Sequence, residues 1–247
     1  IIIKSEDELA IMRQAGRIVA ECHAAVAAAI RPGLTTLEVD RMVEDLIRSR
    51  GATPSFKGHH GFPASVCVAL NDVICHGFPD DRPLRDGDVV TFDIGACYDG
   101  FHGDSAWTYA VGTVPDDVAR LMEDCRASLL LGIERAVPGG RIGDIGHAID
   151  AFARERGYGN VREFTGHAVG RELWEEPAVP HYGIEGKGPR LKTGMVLAIE
   201  PMLTLGDWRA TLDEDGWTAR TADRSVCVQY EHTVAVTAAG PEILTKL

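Results

Sequence analysis

Residues 84–93, LRDGDVVTFD, and residues 191–200, LKTGMVLAIE, align position by position at a spacing of 107. Each begins with a polar turn around a glycine and continues as an apolar run typical of a buried strand. Each run ends in a carboxylate, Asp93 in the first and Glu200 in the second. A carboxylate in such a strand is costly unless it is paired, metal-bound or neutralised. The repeat predicts two related halves that bring two such acids together.

A pair of predicted amphipathic helices precedes each of these segments. In the first half we predict a helix over residues 5–30, ended by Arg31-Pro32-Gly33, and a second that begins at Thr35 and closes at Gly51. In the second half a helix begins after Pro115 and runs to Pro138-Gly139, and the next closes at Gly157. These markers are spaced by 106 residues. An internal duplication accounts for the shared order of elements. We expect its halves at about 5–113 and 114–247, within a single catalytic domain over residues 1–247.

The turn that follows Asp93 brings a second acid to the same place. Asp99-Gly100 is a strong signal for a two-residue hairpin turn. Such a turn sets Asp93 opposite Ala106. Asp104 then lies on the same face of the strand pair, within diagonal reach of Asp93.

The second half supplies a matching acid, Glu231, inside the apolar segment 226–236, which is predicted to be a strand. By the duplication, Glu231 takes the part of Asp104. Its spacing from Asp104 is 127 rather than 107 residues, so we expect an insertion of about 20 residues near 206–225.

Four like charges at one place repel one another and raise each other's pKa. Buried Arg or Lys partners could compensate them, but none of the four apolar strands contains a basic residue. Two divalent cations fit better, because bridging and terminal carboxylates neutralise a metal pair. His167, between two glycines in 164–171, is a candidate nitrogen ligand or else a structural histidine. One imidazole with four carboxylates suits Mn, Fe, Co or Zn more than Ca.

Length and composition favour a single compact unit. A chain of 247 residues with 45% hydrophobic content suits an α/β or α+β protein. The net charge of -12 argues against direct nucleic-acid binding. No apolar run is long enough to span a bilayer, and the first residues do not form a signal peptide. Six scattered cysteines without a CxxC pair fit reduced thiols and a cytoplasmic location.

Several ordered motifs resemble those of the type I methionine aminopeptidases of bacteria, which are pita-bread metallopeptidases. The motifs span nearly the whole chain and are CHG at 75–77, FDIG at 92–95, HGD at 102–104, GHAVG at 166–170, IEPM at 199–202 and QYEHT at 229–233. The resemblance implies an α/β (α+β) pita-bread fold, with pseudo-twofold halves and a curved antiparallel sheet covered by helices. It also implies that the metal ligands are Asp93, Asp104, His167, Glu200 and Glu231.

The resemblance implies that the protein acts on the N-termini of nascent polypeptides as a cytoplasmic monomer without nucleic-acid or membrane partners. The free amine of the substrate would bind one metal, and a metal-bridging water would attack the scissile carbonyl. Glu200 would act as the general base. His76 would contact the scissile amide, although a core histidine is the alternative from its sequence context.

A methionine side chain would occupy an apolar pocket. The resemblance places the walls of this pocket at His59, Phe62, Cys67, Leu173 and Trp217, each of which could equally be core. Two positions depart from the usual pattern. Similar enzymes often have tyrosine at position 59, and they usually have histidine at position 174, where this chain has Trp174. An indole can donate a hydrogen bond but cannot carry a proton. Trp174 therefore either donates to the substrate carbonyl or only walls the cleft.

Two other functions remain open from the sequence. Proline-specific pita-bread peptidases keep the same five ligands but usually carry an extra N-terminal domain. A catalytically weak pita-bread protein that binds a partner is the second, because Trp174 replaces a histidine of the active site.

Overall fold

The computed structural model describes residues 1–247, which form four long helices, one short 3-10 helix at His59–Gly61 and fifteen strands. The helices are α1 (Glu6–Ala29), α2 (Thr36–Ser49), α3 (Asp116–Glu134) and α4 (Ile142–Glu155). The strands are β1 (Thr53–Pro54), β2 (Val66–Leu70), β3 (Val73–Cys75), β4 (Val89–Tyr98), β5 (Phe101–Ala110), β6 (Gly159–Asn160), β7 (Gly166–Ala168), β8 (Glu175–Val179), β9 (Val196–Ile199), β10 (Met202–Thr204), β11 (Ala210–Leu212), β12 (Ala219–Thr221), β13 (Cys227–Gln229), β14 (His232–Thr237) and β15 (Gly240–Ile243).

Each helix pair begins where the sequence predicts, and its ends have local causes. Capping boxes at Ser5 and Thr35 satisfy free N–H groups at the starts of α1 and α2. In the second half, α3 ends at Glu134, short of the predicted Pro-Gly pair at 138–139. No helix is both long and apolar enough to cross a membrane.

Strands β4 and β5 form a continuous antiparallel hairpin in the predicted register. Asp93 pairs with Ala106 and Asp104 pairs with Gly95, so the two acids are diagonal neighbours. Asp99 and Gly100 both have positive φ, as a two-residue hairpin turn of this kind requires. The hairpin therefore holds both acids in an unbroken ladder.

The second half departs from the predicted strands. Residues 196–204 break between β9 and β10 at Glu200-Pro201, and residues 227–237 break between β13 and β14 at Tyr230-Glu231. The prediction that Glu231 lies inside a strand is therefore wrong, and Glu200, predicted as the last residue of its strand, lies one residue beyond the end of β9. Pro201 has no N–H to donate to the ladder, which explains the interruption. The register is the same on both sides of the break, so Glu200 lies opposite Glu231.

The two halves meet along a seam between β5 and residues 229–233. The N–H of Glu231 donates to the carbonyl of Ala106 at 2.8 Å. The hydroxyl of Thr233 accepts from the N–H of Asp104 and donates to its carbonyl. Ser105 Oγ donates to the carbonyl of Glu231 at 2.6 Å. The break in the second half thus frees Glu231 to pair with the first half.

The helices cover one face of the sheets in each half. Alternation along β4 buries Phe92 and Ile94 under the helices and turns Asp93 to the opposite face. Ile199 lies in the corresponding core of the second half. The first core includes Ile18, Val39, Val43, Ile47 and Val66, and the second includes Leu121, Leu129, Ile145, Ile149 and Val234.

The inserted segment of the second half forms a hairpin. Strands β11 and β12 pair with each other, and β12 also pairs with β3. Arg220 and Arg224 form ion pairs with Asp72, which lies in the turn before β3. The insertion thereby packs beside His76 at the end of β3 and places Trp217 in the same region.

Candidate metal centre and active site

The five predicted ligands line the floor of one cavity. Asp93 comes from β4, Asp104 from β5 and His167 from β7, while Glu200 and Glu231 come from the two strand breaks. The structure thus brings together side chains that are up to 138 residues apart in the chain. Asp104 and Glu231 are almost fully buried, with 3% and 1% of their surface exposed.

The imidazole of His167 is held in the orientation that a metal ligand needs. Its Nδ1 lies 3.0 Å from the carbonyl of Ala168 and donates to it, so Nε2 carries the free lone pair. Nε2 lies 3.9 Å from Asp104 Oδ2 and 3.6 Å from Glu200 Oε1. Both distances are too long for hydrogen bonds, and they leave a gap between the atoms that could bind a metal.

The carboxyl groups carry the electrostatic cost of this clustering. Burial raises the pKa of Asp93, Glu200 and Glu231, and the charge of Asp104 raises each of them further. Burial raises the pKa of Asp104 itself to about 7. Burial lowers the pKa of His167 to about 4, which leaves it neutral and able to donate its lone pair.

The residues present fit a site for divalent cations. Oδ1 of Asp93 and Oδ1 of Asp104 are buried and have no hydrogen-bond partner. None of the five groups forms an ion pair with a lysine or arginine, and the only basic side chain within ion-pair distance of the carboxylates is the neutral His167, which approaches Asp104 and Glu200. Lys4, the only buried Lys or Arg of the chain, pairs with Glu175. The alternative of buried Arg or Lys partners is therefore wrong, and unpaired oxygens converge where metal ions would bind.

A second set of groups holds Glu200 in place. Gln229 Nε2 donates to Glu200 Oε2 at 3.1 Å. The N–H of Glu200 donates to Nε2 of His181 at 3.1 Å. Burial lowers the pKa of His181 to about 3, so its imidazole is neutral. Neither residue was identified from the sequence as part of the site.

Six of the seven predicted substrate residues line the cavity. His59, Phe62, Cys67, His76, Trp174 and Trp217 all line it. Leu173 does not line the cavity. It is 2% exposed and lies in the apolar cluster behind the wall, with Phe56 and Phe62. Leu173 therefore supports the wall and does not form its surface.

Sequence reasoning missed six further residues that line the cavity: Phe56, Cys75, Phe164, Thr165, Met202 and Gln229. Gln229 precedes Glu231 by two residues, and Met202 follows Glu200 by two. Side chains two residues apart on an extended chain share a face, so this spacing could have identified both. His76, at the end of β3, lies near Phe164 with 5.5 Å between ring centroids.

Trp174 lies at the rim, where 46% of its surface is exposed. Its ring is edge-on to His59, with 4.9 Å between centroids, and is stacked with His60 at 6.0 Å. The ring of His167 is 6.2 Å away. The position that lacks the usual histidine is thus surrounded by three other imidazoles.

Four carboxylates and one neutral imidazole at the floor of a partly apolar cavity define a metal-dependent enzyme of the hydrolase type. The sequence profile of metallopeptidase family M24 matches residues 10–238. The chain belongs to this family, whose members bind divalent metal.

Methionine aminopeptidase 1 of Bacillus subtilis is 48% identical over 247 residues, covering 100% of both chains. The crystal structure of methionine aminopeptidase from Thermotoga maritima superposes with a TM-score of 0.98 at 41% identity, again with full coverage of both. These likenesses confirm the predicted fold class and the resemblance drawn from the motifs. Prolidase from Pyrococcus furiosus is more distant, with a TM-score of 0.82 and 27% identity, and this chain covers 66% of it.

Proposed function

We propose that this protein is a metal-dependent aminopeptidase that removes the N-terminal methionine from nascent proteins and peptides. The observation that carries the proposal is that five side chains of types that can bind a metal, two of them with unpaired buried oxygens, line one cavity together with apolar residues. The full-length similarity to methionine aminopeptidases supports the same activity.

Asp93, Asp104, His167, Glu200 and Glu231 would hold two divalent ions, of manganese, iron, cobalt or zinc. When bound, such ions lower the pKa of water and neutralise the negative charge that develops on the scissile carbonyl. Acidic oxygens from both halves face this point, and one imidazole contributes a nitrogen. That mixture of donors favours transition metals over calcium.

Glu200 is the proposed general base. Its carboxylate accepts a proton from the attacking water and returns it to the leaving amine. Gln229 Nε2 holds one of its oxygens at 3.1 Å, which leaves Oε1 on the side of His167. His76 lines the same cavity, and burial lowers its pKa, so a neutral imidazole faces the substrate amide. His76 then stabilises the tetrahedral intermediate through a hydrogen bond.

The apolar walls account for the choice of methionine. Phe62, Cys67 and Trp217 line the same cavity as the proposed metal ligands, and Cys67 lies opposite Asp93 across the pair of strands β2 and β4. The rings of Phe62 and Trp217 are 5.3 Å apart in an edge-to-face arrangement. A flexible unbranched thioether packs well against aromatic edges. The residue after methionine would extend past Trp174 toward solvent.

The remaining features of the proposal concern the protein in the cell. We place it in the cytoplasm as a monomer in which residues 1–247 act as one catalytic domain. Its partners are the N-termini of nascent chains. The acidic net charge of -12 disfavours direct binding to nucleic acid.

The test uses purified protein with Mn²⁺ or Co²⁺ and three peptides. Release of methionine from Met-Ala-Ser is expected, while N-acetyl-Met-Ala-Ser should be inert because its amine is blocked. A Xaa-Pro dipeptide tests for the alternative activity, that of a proline-specific peptidase. Cleavage of the dipeptide without cleavage of Met-Ala-Ser would reassign the enzyme. Metal binding without turnover of any peptide would favour the binding-protein alternative.

A further inference from the structure

His181 is a fully buried histidine that contacts the backbone of Glu200. It lies two residues beyond the end of β8 and is 0% exposed. Its Nε2 accepts a hydrogen bond from the N–H of Glu200 at 3.1 Å. A side-chain imidazole thus takes the place of a strand carbonyl at the residue proposed as general base.

The end of β7 explains why Glu200 needs this acceptor. β7 pairs His167 with Ala198, so the same register would set Glu200 opposite Thr165. Thr165 precedes the first residue of β7, and the ladder has ended there. A buried N–H without a partner costs about as much as a lost hydrogen bond. His181 supplies the missing acceptor.

The other nitrogen of His181 shows that this arrangement carries a cost. A neutral imidazole that accepts at Nε2 carries its proton on Nδ1. Nδ1 of His181 is buried and has no hydrogen-bond partner. Buried polar atoms are rarely left unpaired, and each exception needs an explanation. The acceptor at Nε2 is the only polar contact of this ring, so the contact with Glu200 is the feature that requires a histidine.

The backbone of His181 is itself fixed. Asn160 Nδ2 donates to the carbonyl of His181 at 2.8 Å and to Asp150 Oδ1 at 3.0 Å. Asp150 lies on α4 and Asn160 on β6, both in the second half. The backbone of His181 is therefore tied to α4 and β6, and its ring can hold Glu200 at a defined position.

We propose that His181 is a positioning residue that fixes the peptide group of Glu200 at the strand break. Together with Gln229, which holds the carboxylate, it sets the direction in which Glu200 receives a proton. The inference rests on the proposed role of Glu200 as general base. Asp93, the matching acid of the first half, lies inside the continuous strand β4 and needs no such residue.

Two amide substitutions distinguish positioning from packing. In His181→Gln the side-chain oxygen reaches roughly to the place of Nε2, whereas in His181→Asn it reaches only to that of Nδ1. Small misplacements of a reacting group can cost about 100-fold. We expect His181→Asn to lower kcat on Met-Ala-Ser by about 10- to 100-fold with KM nearly unchanged. His181→Gln should recover most of that loss.

Ile149→Ala serves as a control for general destabilisation, because Ile149 is fully buried on α4 and lies outside the site. It should lower the unfolding midpoint while kcat below that temperature stays unchanged. Equal kcat in His181→Asn and His181→Gln, whether both low or both normal, would overturn the proposal.

A second measurement is independent of turnover and does not require any variant to fold. In metal-free wild-type protein labelled with ¹⁵N, a scalar coupling across the N–H···N hydrogen bond should join the amide nitrogen of Glu200 to Nε2 of His181. A proton on Nε2, or no coupling, would overturn the proposal. A coupling in a protein that does not cleave Met-Ala-Ser would uphold the anchoring of Glu200 and refute the proposed function alone.

Discussion

The two halves solve the same problem, the placement of two acids on a sheet, in different ways. In the first half, Asp93 and Asp104 lie within ten-residue strands and are diagonal neighbours. In the second half, Glu200 and Glu231 lie directly opposite each other where both strands break. The continuous ladder fixes the first pair, whereas partners outside the ladder fix the second.

This difference separates two tasks. An acid held by an unbroken ladder has little freedom, which suits a residue that only binds a cation. An acid at a break can be oriented by side chains, as Glu200 is by His181 and Gln229. The break also lets the N–H of Glu231 pair with the first half through Ala106. We infer that the first half supplies fixed ligands and the second half supplies the proton-transfer group.

The largest expected effect comes from Glu200, the proposed general base. Glu200→Gln removes proton transfer but keeps the shape of the side chain, so kcat on Met-Ala-Ser should fall by about 10²- to 10⁴-fold. Asp93→Asn is the matched change in the first half. Steady-state kinetics and metal content by mass spectrometry are measured for both variants.

The comparison of the halves predicts a different pattern for each variant. Asp93→Asn should lose activity in proportion to lost metal, and excess metal should restore part of it. Glu200→Gln should stay inactive when its metal content is saturated. Full recovery of Glu200→Gln by excess metal would show that the two acids have the same task.

The first hairpin was predictable because its cause is local. Asp99-Gly100 specifies the turn, and the turn specifies the register that sets Asp93 opposite Ala106. The break at Glu200 also had a local signal, since Pro201 cannot donate to a central ladder. The repeat hid that signal, because the matching residue of the first half, Ile94, continues its strand.

Other parts of the site have no local cause. His181 follows β8, which pairs with β7, and β7 in turn pairs with β9, which leads into Glu200; no spacing in the sequence gives that contact. Leu173 was predicted at the pocket surface, yet it packs in one apolar cluster with Phe62 and does not line the cavity. A wall residue and a residue behind the wall have the same apolar character, so composition cannot separate them.

Metal binding should stabilise the folded protein by a measurable amount. At a free metal concentration 100 times the Kd, one site contributes about 2.7 kcal/mol. For a chain of this size we expect a rise in Tm of about 5–10 °C. Chelation with EDTA should reverse it. Differential scanning calorimetry with and without Mn²⁺ measures the shift, and Asp93→Asn should reduce it.

The rise in Tm on metal binding should also depend on pH. Burial raises the pKa of Asp104 to about 7, so the metal-free folded state keeps a proton that the unfolded chain loses near pH 4. The folded state binds more protons in this window, and its stability therefore falls as pH rises from about 4 to 7. Bound metal requires the ionised form. The rise in Tm should be larger at pH 7.5 than at pH 5.5, and the reverse order would contradict the clustering of the acids.

A hydrogen bond across the seam between the halves should contribute less to stability than bound metal does. Ser105→Ala removes the hydroxyl that donates to the carbonyl of Glu231 and leaves that buried carbonyl short of a partner. The expected loss is about 1–3 kcal/mol in the free energy of unfolding by urea, with weaker metal binding by calorimetry.

Ser128→Ala is the matched control for the seam. Ser128 is equally buried, but it donates to the carbonyl of Cys125 within α3. The carbonyl of Cys125 also accepts a hydrogen bond within the helix, so loss of the Ser128 hydroxyl should lower the free energy of unfolding by less and leave metal affinity unchanged. Equal effects of the two variants on metal affinity would show that the seam does not position Glu231.

Trp174 should have the smallest effect, because its place is at the rim and not at the floor. It is 46% exposed, and its ring packs against His59 and His60. These contacts are those of a wall, so Trp174→Phe should change kcat by less than about threefold, or about 0.7 kcal/mol. A loss of tenfold or more would show that the indole N–H donates to the substrate.

Trp174→His gives the complementary measurement. A rise in kcat of tenfold or more, about 1.4 kcal/mol, would show that the tryptophan costs transition-state stabilisation. It would also show that proton transfer by Glu200 and His76 is less efficient without a histidine at position 174.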